Sequence, residues 1–182
     1  MASSAFRSDW GECWVDDVEY NWWWDVPEFV RVQEDPQFRA WVQTVEVGVE
    51  LYVLDFRDVI PDLPEGDIFS DEAIVIAERA FLGCFPDMAS VGYSDARIWD
   101  FMKYLGQAFV EKLECTWVWQ PRVERIGWGY DSPAISRPWP SISLLDMYTM
   151  MTATAHRRTG RVWVELFRNN RKSYLEWKAA QA

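Results

Sequence analysis

Between Asp95 and residue 113 the apolar residues Ile98, Phe101, Met102, Leu105, Phe109 and Leu113 recur three or four positions apart. That spacing lines one face of an α-helix, and the stripe it makes has to be covered by a core. Ser94 and Asp95 supply the polar start. No other stretch carries so clear an amphipathic signal, so the rest of the chain is read as what packs against it.

Further helices have recognisable ends. Ser70 is placed to cap a helix with Asp71 and Glu72 in its first turn, Ile74, Ala77, Ala80 and Phe81 on one face, and Gly83 at its end. After Pro138 and Pro140, Ser141 or Ser143 is expected to cap a helix using Leu144, Met147, Tyr148, Met151 and Ala155. Arg157 and Arg158 suit its C-terminal dipole, and Gly160 stops it. A last helix over 162–179 turns Trp163, Leu166, Phe167, Tyr174 and Trp177 inward, and Asp35-Pro36 opens a short one over 36–42.

Strands are expected where the period changes to two. Val45, Val47, Val49, Leu51 and Val53 alternate with Thr44, Glu46, Gly48 and Glu50, which predicts a half-buried strand over 45–53. Residues 55–69, with two prolines, a glycine and five acids, predict a loop. Short strands follow over 116–120 and 133–137, separated by a turn containing Gly127 and Gly129. The expected class is α+β: a small, mostly antiparallel sheet with four to five helices packed on one side, as a single domain over 1–182. At 182 residues a chain buries roughly two-thirds of its unfolded surface, enough for a core without disulfides or metal.

Charge is distributed unevenly. Residues 1–100 hold 22 Asp and Glu against 6 Lys and Arg, whereas residues 101–182 hold 7 against 12. So acidic a half argues against nucleic-acid binding, which needs basic patches that release counterions, and suits a basic partner. The acids concentrate in two places. One is an arm, 1–35, set against a core of 36–182; residues 9–35 alone carry nine acids, one Arg and five Trp. Within it Trp14, Val18 and Trp22 share a helical row. The other is the proline-bounded loop.

A pattern in the middle of the chain carries a resemblance. SDEAIVIAERAFLGCFPD over 70–87, FMKYLGQAF over 101–109, then WVW, PAI and PWPSISLLDM resemble small bacterial α+β domains of the actinobacterial type, some similar to immunity proteins of polymorphic toxin systems. The resemblance covers about half the chain and carries no active site. It implies binding of a cognate toxin.

Catalytic and metal motifs are sparse. His156 is the one histidine and lies among Arg157, Arg158 and Arg161, which suits a helix end better than a nucleophilic triad, and no HExxH or His/Cys cluster can form. Cys13, Cys84 and Cys115 lack CxxC spacing and are expected as reduced thiols. Without an export signal at the N-terminus or an apolar run long enough for a membrane, the expected location is cytoplasmic. Gly127-Trp128-Gly129 lacks the spacing of a phosphate loop, and Asp58 to Asp71 lacks the order of a calcium loop. No cofactor is expected. Close acids such as Asp16 and Asp17, or Asp58 and Asp62, beside Trp residues leave a carbohydrate-active enzyme as one alternative.

The leading expectation is therefore an immunity protein that occludes a toxin's basic or nucleotide-binding cleft, with no catalytic residues, no nucleic acid and no membrane involved. The partner-binding acids are Asp58, Asp62, Glu65 and Asp67 on the loop, and Asp16, Asp17 and Asp25 with Trp22 and Trp23 on the arm. Most of the thirteen Trp, Trp99 and Trp117 among them, are expected in the core. Three consecutive indoles, Trp22 to Trp24, cannot all face one interior at either period, so one at least reaches the surface. The arm has a competing use: latching onto its own cations at Arg157, Arg158, Arg161, Arg168, Arg171 and Lys172. An acidic nucleic-acid mimic is the other alternative.

Overall fold

The computed structural model describes residues 21–51, 53–123 and 131–182, with side chains of 46–51 and 53–55 outside the described set. Asp16, Asp17, Trp14, Val18, Cys13 and the glycine turn at 127–129 therefore lie outside the described residues. A 3-10 turn, Trp22–Asp25, precedes α1 (Pro27–Gln33), α2 (Pro36–Leu51), α3 (Val53–Val59), α4 (Asp71–Cys84) and α5 (Ala96–Leu113). Then come β1 (Thr116–Gln120), β2 (Ser132–Ser136), β3 (Leu145–Asp146), α6 (Met147–Arg157) and α7 (Val162–Gln181). The class is α+β, with seven α-helices among the described residues rather than four to five, and one antiparallel sheet in the order β1-β2-β3.

The stripe on α5 is the centre of the main core: Ile98, Phe101, Met102, Leu105, Phe109 and Leu113 are all buried. Asp95 caps the helix through the Arg97 amide, and Ser70 caps α4, its Oγ accepting from the Ala73 amide at 3.2 Å. Helix α6 starts later than the serines suggest. Asp146 is its cap, accepting from the Thr149 amide at 2.9 Å, while Ser141 and Ser143 close a tight turn on each other.

Two expectations fail in the same region. Residues 45–51 and 53 are helical, not a strand, and α3 takes up 55–59 of the expected loop. The alternating valines conceal a second register: Phe38, Trp41, Val42, Val45 and Val49 fall at helical spacing. Asp35 decides between the two, because its Oδ1 accepts from the Gln37 amide at 2.7 Å and the Phe38 amide at 3.4 Å. Once that cap has formed the first turn, each added residue costs little and no proline follows Pro36 before residue 51. Val45 is buried, with Phe38, Trp41 and Val42 packed against the core.

Helices cover both faces of the sheet, not one. Trp117, Ile135 and Leu145 face the main core, whereas Val118 and Ala134 face a satellite cluster of Trp23, Val26 and Phe29. Side-chain alternation on β1 produces this division. Gln33 ties α1 to the strand, donating to the Trp119 carbonyl and accepting from the Trp119 amide, both at 2.8 Å. The register partner of Trp119 is Pro133, which has no N–H to offer, so β1 and β2 pair without loss there.

Helix α7 begins without a side-chain cap of its own. Glu78 of α4 serves instead, one oxygen accepting from the Val162 amide at 3.0 Å and the other from the Trp163 amide at 2.8 Å. Trp163 then fills the core beside Phe81 and Phe101 and donates to the Thr154 hydroxyl at 2.8 Å.

Candidate functional site

Asp58 lies in the last turn of α3, and Asp62, Glu65 and Asp67 follow on the segment that leads into α4. All four are exposed. The backbone that carries them is fixed from beneath: Ile60, Leu63, Ile68 and Phe69 are buried, and the Tyr104 hydroxyl donates to the Ile68 carbonyl at 2.7 Å. Arg57 donates to the Pro64 carbonyl at 3.0 Å, closing the loop across its middle.

The four acids are not equivalent. Asp67 pairs with Lys112 at 2.7 Å, and that hydrogen bond, outweighing some burial, holds its carboxyl below the usual range. Asp58, Asp62 and Glu65 make no hydrogen bond or ion pair with any described residue. They form a fixed display of uncompensated charge.

The described part of the arm is anchored on the domain. Asn21 donates its amide to the Ser141 carbonyl at 2.9 Å and the Trp22 indole N–H donates to the Ile142 carbonyl at 3.2 Å. Trp23 is wholly buried and serves packing, while Trp24 is 47% exposed and Asp25 is exposed. One of three consecutive indoles thus reaches the surface, as their spacing requires.

Of the six cations expected to receive the arm, Arg158, Arg168 and Arg171 are engaged elsewhere among the described residues. Arg168 and Arg171 both bind Asp71, at 2.7 and 2.9 Å, and Arg158 donates to the Phe85 and Leu82 carbonyls at the end of α4. Burial raises the Asp71 carboxyl, but the two guanidiniums outweigh it and hold the group below the ordinary value. Part of the acidic half is therefore neutralised within the fold, though not Asp58, Asp62 or Glu65.

Other chemistry-bearing groups are isolated. His156 is exposed in the last turn of α6. Cys115 is buried, which pushes its thiol up to about 12, and Cys84 is half-buried; both are free thiols. Among the described residues no group of three or more His, Cys, Asp or Glu is placed to hold a metal ion. No helix among them is long and apolar enough to cross a membrane.

A second surface was not anticipated. A cavity of about 320 Å³ opens between α2, the start of α5 and β1, framed by Phe38, Trp41, Trp99 and Trp119 with Asp35 and Gln37 at its edge. Trp99, expected in the core, is half-buried and lines it, whereas Trp117 is indeed buried behind Trp41. An adjoining groove of about 590 Å³ shares Asp35 and adds Glu28, Glu34 and Asp131 together with Arg31 and Arg122. The signal available in the sequence was the aromatic spacing of Phe38 and Trp41 at the start of α2, which reads equally as core. Comparison with family models, curated proteins and solved structures finds no match for the chain.

Proposed function

We propose that the chain is a stoichiometric inhibitor of the immunity-protein kind, which occludes a basic, phosphate- or nucleotide-binding cleft of a cognate toxin through the acidic surface of 58–67. The observation that carries this reading is the contrast within that segment: a backbone pinned by Tyr104 and Arg57, and three carboxylates on it without partners among the described residues. A rigid loop loses little conformational freedom on binding, so more of its interaction energy appears as affinity. Unpaired surface carboxylates steer a basic partner at long range and keep like-charged surfaces away. Nothing in this role calls for a catalytic group.

The test is protection and binding against any toxin domain found encoded beside this gene. Replacing Asp58, Asp62 and Glu65 together by alanine is expected to slow association by about tenfold or more at low salt and to abolish protection. Its melting temperature should stay near that of the parent, because surface changes away from caps and core are worth about 0.5 kcal/mol or less. Association of the parent should slow as ionic strength rises. A salt-independent rate, or full protection by the triple variant, removes this surface as the interface.

A further inference from the structure

The cavity beside α2 is separate from the acidic loop. Trp99 and Lys112, which mark the two surfaces on α5, are 13 positions apart, so the surfaces lie on the order of 20 Å from one another along the helix. What the cavity recognises has to be argued from its own walls.

Those walls are electron-rich. The Trp99 and Trp119 rings are near parallel, at 14° with centroids 6.5 Å apart, and Trp41 stands at 73° to Trp99. Phe38 completes the frame, 5.9 Å from Trp119 and 6.2 Å from Trp41. The Trp99 indole N–H is already given to the Tyr93 carbonyl at 3.0 Å, which fixes that ring and leaves its π system as what it offers. A cation seated against such rings comes within about 6 Å of more than one centroid, the range in which the ring quadrupole attracts positive charge.

The polar complement is short. Among the described lining residues Asp35 is the one charged group, and none is cationic. Its Oδ1 is occupied by the Gln37 and Phe38 amides, while Oδ2 has no hydrogen-bond partner among the described residues. A sugar would leave most of its hydroxyls without partners here, and a primary ammonium or guanidinium would surrender hydration that one carboxylate cannot replace. A quaternary trimethylammonium carries positive charge but no N–H to satisfy. We propose that the cavity framed by Phe38, Trp41, Trp99 and Trp119 is a binding site for a small organic cation bearing a trimethylammonium group, with Asp35 as its counter-charge.

The experiment titrates the full chain with choline and with its neutral isostere 3,3-dimethylbutan-1-ol, following tryptophan fluorescence and binding heat. Choline is expected to saturate the signal and to bind about tenfold or more tightly than the isostere, the margin expected from charge against π faces and a carboxylate. Trp119→Leu should lose that preference. Asp35→Asn, which keeps a capping side chain, should weaken choline several-fold and leave the isostere unchanged. Phe38→Leu gives a second aromatic deletion should Trp119→Leu fail to fold. Equal binding of the two compounds would make this an apolar pocket only, and preference for lysine amide over choline would assign it to a protein side chain; either overturns the proposal, as does the absence of a saturable response to choline. The alanine variant of Asp58, Asp62 and Glu65 should bind choline like the parent, so this site and the loop stand or fall independently.

Discussion

Replacing Gly106 with alanine is expected to destabilise the protein by about 3 kcal/mol or more, beyond the usual range for overpacking a core. For a chain of this size that corresponds to a fall of about 6 to 12 °C in melting temperature. The reason is the approach of α5 to β1. A Cβ on Gly106 would stand 2.8 Å from Cζ3 of Trp117 and nearer still to Cη2 and Cζ2. That indole cannot swing aside: it is 4% exposed, has Trp41 edge-on at 5.2 Å, and donates its N–H to Gln107 at 3.0 Å. The helix must therefore lift from the sheet. Combining Gly106→Ala with Trp117→Leu should cost less than the sum of the two single changes, a coupling measurable by denaturant unfolding. A single variant that melts within two or three degrees of the parent, by the same size scaling, would refute the close approach.

Glu78→Ala is expected to cost about 2 to 4 kcal/mol, since two buried N–H groups at the start of α7 would lose their acceptor. Glu78→Gln preserves the shape but offers one carbonyl oxygen for two donors, and should fall between. The pH dependence separates the cap from simple packing. Burial, opposed by the hydrogen bonds from Trp163 and Val162, holds the Glu78 carboxyl above its ordinary value. The native state therefore keeps this proton to higher pH than the unfolded chain, and stability is lost as pH rises from the ordinary carboxylate range through the raised value. In Glu78→Gln that slope should vanish. Asp71 contributes the opposite slope: its carboxyl is held low, so its contribution is lost as pH falls through the lowered value. Unfolding free energies of parent and Glu78→Gln across the acid range check both signs.

The contrast between α5 and α2 shows what made parts of this fold legible. On α5 the large apolar residues Ile98, Phe101, Met102, Leu105, Phe109 and Leu113 fall at helical spacing and do not alternate, so periodicity had one solution. The run after Val45 satisfied two periods at once, and a cap ten residues upstream decided between them. Short strands were visible at 116–120 and 133–137, the second lying one residue earlier in the structure, at 132–136, but the two-residue β3 was too short to leave a pattern. Glu78 gave no signal because its partners lie 84 and 85 positions away. The loop acids could be found as acids in a proline-bounded segment, whereas their rigidity depends on Tyr104 and Arg57. The aromatic cavity was hidden for another reason: each of its rings, taken alone, is indistinguishable from a core residue, and only the meeting of α2, α5 and β1 leaves them half open.

The bond pair between Gln33 and Trp119 has a consequence for how molecules of this protein meet each other. β1 is an outer strand, and an uncovered outer strand is a template on which another chain can extend the sheet. A single side-chain amide, with one donor and one acceptor spaced like those of a peptide unit, occupies the position a neighbouring strand would take. Gln33→Ala should therefore do more than remove three side-chain hydrogen bonds, two to Trp119 and one to the Phe29 carbonyl: it should expose a docking line for self-association, detectable as concentration-dependent growth in light scattering at temperatures where the parent stays dispersed. On this view α1 is a guard for the sheet, and one uncharged side chain closes the edge on which copies of the chain would pair.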